Sequence, residues 1–418
     1  MLERILSREN LITAVTRVER NKGSHGVDGM SVRQLRAYLM EHGASLLADI
    51  RAGTYHPQPV RRVEIPKPNG GKRKLGIPTV VDRFIQQAIA QVLTEVYDPT
   101  FSTHSYGFRP NKRGHDAVRE ARTYIQQGYR WVVDLDLEKF FDKVNHDRLM
   151  RTLSKRIEDP KALRLIRRFL QAGVMEDGLV RPNTEGAPQG GPLSPLLSNI
   201  VLDELDKELE KRGLPFVRYA DDCNIYVRSE RAGQRVMTSI TRFIEGKLKL
   251  KVNKEKSAVD RPWKRKFLGF SFTFHRDPKI RIAKESIKRF KQRIRELTSR
   301  RKSMNMTDRI EKLNRYLVGW LGYYQLAETP SIFKDLDSWI RRRMRMIRWK
   351  EWKKVKTKYK NLKKLGVKAG KAWEWANTRK AYWRIAQSPI LHRALGDQYW
   401  VKQGLKSLFK RYQTMRWT

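Results

Sequence analysis

Four aspartates in this chain stand where carboxylates could take part in chemistry. Asp221 and Asp222 lie in FVRYADDCNIYVR (216–228), between two strand-like arms, so both carboxylates fall at the tip of a hairpin. Asp134 and Asp136 lie in WVVDLDLEKFFD (131–142), toward the end of an apolar run that reads as a strand. Two-metal phosphoryl transfer needs carboxylates that hold two magnesium ions about 4 Å apart, and two neighbouring strands can deliver them. One ion activates the attacking hydroxyl and the other stabilises the leaving oxygen. An Asp-Asp pair in a turn is more often just a good turn former, and YADD by itself is short enough to arise by chance. The eight histidines show no metal-ligand spacing such as HExxH, and the single cysteine, Cys223, leaves no internal disulfide or cysteine-rich zinc site. A metal here must be held by oxygen, which points to magnesium.

The elements that must position these residues interleave irregularly. Residues 1 to about 40 read as a helix followed by the Gly-rich NKGSHGVDGM. Strand-like runs (RRVEIP, WVVDLDL, FVRYA, CNIYVR) then alternate with helical stretches such as DRFIQQAIAQVLTEVY, a pattern that fits α+β better than a barrel. RRVEIPKPNGGKRKLGIP (61–78) reads as two arms around an Asn69-Gly70-Gly71 turn, with Lys67 and Arg73 on the arms as a point charge and a forked donor that suit phosphate oxygens. After about 280 the strand signals stop and long basic amphipathic patterns take over.

Charge decides the class of partner. Lys and Arg number 89 against 44 Asp and Glu, a net charge of +45, and self-repulsion on that scale calls for a polyanion to screen it. From Arg341 to the end there are 24 Lys and Arg against three acids, and nine of the eleven Trp lie at or beyond Trp320. Cations interleaved with aromatics suit backbone tracking and base stacking, although most of these Trp are expected to form helical core. The basic face expected to meet nucleic acid carries Arg341, Arg342, Arg343 and Arg345, with Arg61 in the N-terminal half. No run approaches a membrane span, and MLERILSREN lacks a signal-peptide core, so neither a membrane partner nor a leader is expected.

The motifs then fall into one order. YADD (219–222) resembles the catalytic box of reverse transcriptases. SYGFRP (105–110), LDLEKFFD (135–142), APQGGPLSP (187–195) and KFLGF (266–270) resemble the other blocks of group II intron reverse transcriptase/maturases, and LNRYLVGWLGYY (313–324) resembles their thumb. The resemblance implies a right-hand polymerase of α+β class: an N-terminal extension (1–40), fingers and palm (41–278) with an antiparallel sheet flanked by helices, an all-α thumb/maturase domain (279–360) and a small basic DNA-binding domain (361–418). It places the first catalytic carboxylate five residues before an aromatic, which selects Asp136 with Phe141 and leaves Asp134 and Asp142 as neighbours. Asp221 and Asp222 complete the triad, and the Leu137 carbonyl joins them around two Mg²⁺ ions.

The resemblance also sets Phe141 under the sugar of the incoming nucleotide, where it would clash with a 2′-OH, and makes Gln189 a contact to the nucleotide or templating base. Core packing is the competing reading of Phe141, because Phe140 beside it is equally apolar. Lys256 could protonate pyrophosphate, and simple exposure is its plainer reading. The implied partners are intron RNA, an RNA template with a DNA primer, dNTPs and target DNA, in a bacterial cytoplasmic, nucleoid-associated ribonucleoprotein. The segment after about 360 has no cysteine and one histidine, His392, so the cysteine–histidine nuclease of many relatives is not expected and the compact class IIC type fits better. Two other readings stand beside this one. One is an RNA-binding splicing factor with a relic polymerase site, against which all three carboxylates argue. The other is a retron or diversity-generating reverse transcriptase, against which the long basic tail argues.

Overall fold

The computed structural model describes residues 1–66, 70–176, 179–183, 185–186 and 190–417. Lys67, Asn69 and Gln189 lie outside the described residues. The strands are β1 (Val60–Pro66), β2 (Lys72–Ile77), β3 (Trp131–Leu135), β4 (Val174–Glu176), β5 (Leu179–Arg181), β6 (Phe216–Tyr219), β7 (Asp222–Val227), β8 (Ala258–Asp260), β9 (Phe270–Phe272) and β10 (Ile280–Ile282). The chain parts into two compact units, Met1–Arg265 and Lys266–Thr418. The break precedes the β9–β10 pair, which a boundary at 278 would cut.

The first unit is built on two four-stranded sheets. One has the order β6-β7-β3-β8 and is antiparallel throughout. The other has the order β2-β1-β4-β5, with β1 and β2 forming the expected hairpin in the register Ile65↔Arg73. β7 is buried from Cys223 to Val227 on both faces, so it reads as an unbroken apolar run and not as an alternating one. The helix Glu230–Phe243 packs against β3 and β7, and Gly114–Gln126 against β6.

The helix Val80–Tyr97 runs through the core of this unit. The Thr79 side chain caps it by accepting from Asp82 N–H, and its apolar residues cover every face. A helix of that composition is stable only when surrounded, and Val80, Phe84, Ile85, Ala88, Ile89, Val92 and Leu93 are all buried. The Gly-rich segment after the helix Arg8–Asn21 is tied back to this core. Arg83 donates to Ser24 O at 2.6 Å, and Arg61 donates to His25 O at 3.2 and 2.9 Å.

The second unit opens on the antiparallel β9–β10 pair, so it is not purely helical. Three long helices follow, Lys284–Leu297, Met306–Tyr324 and Ser331–Glu351, and then shorter ones to the end. The basic pattern that reads as one helix over 331–356 stops at Trp352, whose backbone leaves the helical region (φ −80, ψ 62), and resumes at Val355. Trp349, Trp352 and Trp400 are core, whereas Trp320, Trp339 and Trp383 are half-buried and Trp373 is exposed. Among the described residues no helix is long and apolar enough to cross a membrane.

Candidate active site

The register of two strands brings the carboxylates together. β3 pairs with β7 so that Asp134 faces Asn224 and Leu135 faces Cys223. Carried one step further, that register sets Asp136 opposite Asp222. β6 and β7 close with Tyr219 facing Asp222, leaving Ala220 and Asp221 as a two-residue turn, and Ala220 takes a left-handed backbone (φ +57). Asp134 and Asp136 share a face, but Asp134 is spent: Arg265 grips it through Nε at 2.8 Å and Nη2 at 2.6 Å.

Asp136 is fixed by its backbone, and its side chain pairs with the exposed Lys256. Its N–H donates to Ser257 Oγ at 3.0 Å and its carbonyl accepts from Asn253 N–H at 2.8 Å. Leu137 bridges Val252, but the hydrogen bonds flanking that bridge belong to its neighbours, Glu138 N–H to Lys251 O and Asn253 N–H to Asp136 O. Strand alternation therefore turns the Leu137 carbonyl to the opposite side, toward β7. The Lys256 ammonium lies 3.2 Å from the Asp136 carboxylate. Burial pushes the Asp221 carboxyl above its ordinary range; its own amide opposes this, the Asp136 charge adds to it, and Arg73 and Lys256 counter it.

Among the described residues no three Asp, Glu, His or Cys side chains converge closely enough to hold a metal as they stand. The donor set nevertheless fits a hard divalent cation. It is all oxygen, it concentrates negative charge in a half-buried place, and Lys256 supplies the positive charge that a metal would bring.

Between the basic hairpin and Phe141 lies a cavity of ≈ 200 Å³ lined by Arg62, Lys74, Gly76, Phe141 and Asn183, with the acidic Asp142 and Glu185 also on its wall. Phe140 is core, whereas Phe141 is half-buried and meets Phe140 edge-on at 5.2 Å with its other side on the cavity. Arg62 Nε is buried with no hydrogen-bond partner. The sequence pattern pointed to Lys67 and Arg73; the structure brings Arg62 and Lys74 to this cavity and sets Arg73 in the field of Asp221. The glycines of PQGGP approach protein and not an open cleft. A Cβ on Gly190 (φ +132) would meet Gly76 O at 2.4 Å, and one on Gly191 would meet Gln86 Oε1 at 2.1 Å.

Sequence reasoning missed Arg218, the fully buried residue before YA. Its guanidinium donates to both Asp206 carboxylate oxygens at 2.6 Å, to Asn199 Oδ1 at 3.0 Å, to Ser105 Oγ at 2.8 Å and to Ala220 O at 2.8 Å. Asn199 also donates to Gly107 O at 2.8 Å, and a Cβ on Gly107 would meet Ala220 N at 2.3 Å. SYGFRP is thus the bed on which the YADD turn rests. A charged residue inside the apolar run FVRYA was the available signal. Removing one partner of such a buried pair costs about 3–5 kcal/mol.

In the second unit the arginine row differs from its sequence reading. Arg345 is buried, donating to Ala386 O at 2.8 Å and lying 3.0 Å from His392 Nε2. Burial, reinforced by the charge of Arg341, pulls its pKa down to about 10. Arg345 therefore cannot belong to an exposed binding face. Arg341 pairs with Asp397 at 2.8 Å, Arg342 stacks 3.9 Å from the Trp383 ring, and Arg343 donates to Thr298 Oγ1 at 2.5 Å. Exposed cations gather elsewhere: Arg295, Arg300 and Arg301 line a cavity of ≈ 330 Å³ with Arg343 and Trp383, and no carboxylate lines it. In the same unit KFLGF is held by LGYY, with Tyr323 OH donating to Leu268 O at 2.8 Å.

Strands ending in paired aspartates, a basic hairpin beside them and a cationic, largely helical second unit define a template-directed polymerase of the right-hand kind. Residues 65–272 match the reverse transcriptase (RNA-dependent DNA polymerase) family, and residues 287–366 match the group II intron maturase-specific domain. Protein YkfC of Escherichia coli is 33% identical over 299 residues, covering 62% of this chain and 78% of YkfC. The group II intron-encoded protein LtrA of Lactococcus lactis is 41% identical over 174 residues, covering 41% of this chain and 29% of LtrA. Among solved structures, a chain of the partial Cas6-RT-Cas1--Cas2 complex is 25% identical, covers 58% of this chain and 42% of its own, and has a TM-score of 0.37. The chain belongs to the group II intron reverse transcriptase/maturase family, uniting an RNA-directed DNA polymerase domain with a maturase domain.

Proposed function

We propose that this chain copies RNA into DNA at Asp136, Asp221 and Asp222, and that it also binds its intron RNA to promote splicing and retrohoming. The observation that carries the first part is the β3–β7 register, which sets Asp136 opposite Asp222 beside the Ala220-Asp221 turn. These carboxylates, with the Leu137 carbonyl, would hold two magnesium ions. Magnesium held there would supply activation of the primer 3′-OH and neutralisation of charge on the departing pyrophosphate.

The rest of the work falls to side chains. Arg73, with Arg62 and Lys74, meets the triphosphate of an incoming nucleotide, and Lys67 and Gln189 keep the nucleotide-binding roles that the family resemblance gives them. Lys256, 3.2 Å from the Asp136 carboxylate, would stand near the leaving pyrophosphate as a proton donor. Phe141 closes the cavity against a 2′-OH. The arginine cavity of the second unit, with Arg343 on its wall and Arg342 stacked on its Trp383, takes phosphates of intron RNA, of the template–primer or of target DNA, in a nucleoid-associated ribonucleoprotein, and Arg341 adds charge to the same unit. Arg61, engaged with His25 O, acts on nucleic acid through the loop it holds.

Primer extension on an RNA template tests the polymerase reading. The parent extends a DNA primer with dNTPs only when a divalent cation is supplied and stalls with rNTPs. Phe141→Ala gains rNTP incorporation by about 100-fold, since a single misplaced or removed contact at a reacting centre carries an effect of that order. Synthesis confined to DNA templates overturns the reading, and unchanged rNTP discrimination returns Phe141 to the core.

A further inference from the structure

We infer that Arg218 is a positioning residue for DNA synthesis, acting through the Ala220 carbonyl to hold the YADD turn at the angle the carboxylates require. The inference rests on the assignment of Asp221 and Asp222 as catalytic. A two-residue turn with a left-handed alanine is a strained, adaptable piece of backbone. Here it is pinned from beneath by one guanidinium.

The five donors of that guanidinium are distributed with little slack. Nε and Nη2 take the two oxygens of Asp206, Nη2 also reaches Ser105 Oγ, and Nη1 is shared between Asn199 Oδ1 and Ala220 O. Asp206 and Asn199 sit on one helix, Ser194–Lys211, and Ser105 sits in the SYGFRP loop. The backbone joins two of these pieces, the loop and the strand before the turn, with Tyr106 N–H donating to Arg218 O at 2.8 Å and Arg218 N–H to His104 O at 2.9 Å. The turn that carries Asp221 is thus tied to the loop by backbone and side chain together, and to the helix through the Arg218 guanidinium.

If Arg218 merely neutralised Asp206, any arrangement that removed both charges would serve as well. A buried ion pair can often be replaced by neutral groups of like volume without loss of stability. The carbonyl contact cannot be replaced in that way, because it needs a planar fork reaching two sites at once.

The test compares three proteins in single-turnover primer extension on an RNA template: the parent, Arg218→Lys, and the neutral pair Arg218→Met with Asp206→Asn. Each is also followed by thermal melting and template–primer affinity. Arg218→Lys keeps the charge pair but cannot also reach Ala220 O, and its nucleotide-addition rate falls about 100-fold while dNTP and template–primer affinities hold. The neutral pair melts like the parent and stays equally slow. Parental rates in either folded variant overturn the inference, as does a fall in binding in place of rate. Should the neutral pair not fold, Arg218→Lys decides alone. Parental activity in Asp222→Ala would instead strike at the underlying assignment.

Discussion

Replacing Asp222 with alanine will abolish primer extension, lowering the rate by at least about 1,000-fold, while leaving RNA affinity near that of the parent. The magnitude follows from what the carboxylate does. Phosphoryl transfer leaves the protein little covalent chemistry, so catalysis is positioning plus stabilisation of charge, and both pass through the groups that hold the metals. Binding is spared because Asp222 contributes no positive charge and sits at a strand end whose neighbours, Cys223 to Val227, carry the packing. Removing a carboxylate from an already concentrated cluster relieves repulsion, so the variant should melt no lower than the parent. Steady-state extension beside RNA binding and a melting curve reads all three. A folded variant retaining a tenth of parental activity would move the catalytic centre elsewhere.

Neutralising Arg295, Arg300 and Arg301 together with glutamine will weaken intron RNA binding by about 100-fold at 0.15 M salt and flatten its salt dependence. Each lost phosphate contact removes about 0.7–0.9 from the slope of log affinity against log salt, so three contacts remove about 2 to 3. Their geometry favours a shared site over diffuse attraction. Arg343 is held among them by Thr298, its pKa pulled down to about 10 by burial and by the charge of Arg295. Elsewhere in the unit several arginines have acidic partners, as in Arg293–Glu296, Arg315–Glu311 and Arg348–Glu351. The control is the exposed trio Lys353, Lys354 and Lys356 changed to glutamine. Equal losses in the two variants would mean diffuse charge and no site. Running RNA, heteroduplex and single-stranded DNA in parallel shows which strand the site prefers.

The carboxylate pair was legible because local pattern suffices for it: two strand-like arms fix a hairpin tip, and an alternating strand puts Asp134 and Asp136 on one face. Alternation alone does not separate those two; the family spacing to Phe141 selects Asp136, whereas the pairing of Asp134 with Arg265, 131 residues away, left no mark in the local pattern. The arginine row misled for a similar reason. Periodicity shows which stripe of the helix Ser331–Glu351 is apolar, but Met344, Arg345, Met346 and Ile347 are all buried because the later segment around Ala386 and His392 returns to cover the helix. The PQGGP glycines announce a close approach without naming what approaches; it is Gly76 and Gln86. Arg218 shows the same limit, since its partners come from two distant stretches of chain, Ser105 from the SYGFRP loop and Asn199 and Asp206 from the helix Ser194–Lys211.

One measurement weighs the central claim, that catalysis at the carboxylates and RNA binding on the basic surfaces are separate functions of one chain. The Asp221→Ala/Asp222→Ala double variant, shown by melting to be folded, is assayed for splicing of its intron at moderate magnesium beside primer extension on an RNA template. A maturase acts by stabilising the folded ribozyme, which supplies its own chemistry, so splicing should proceed at the parental rate while extension disappears. Loss of both activities together in the folded variant would contradict that separation.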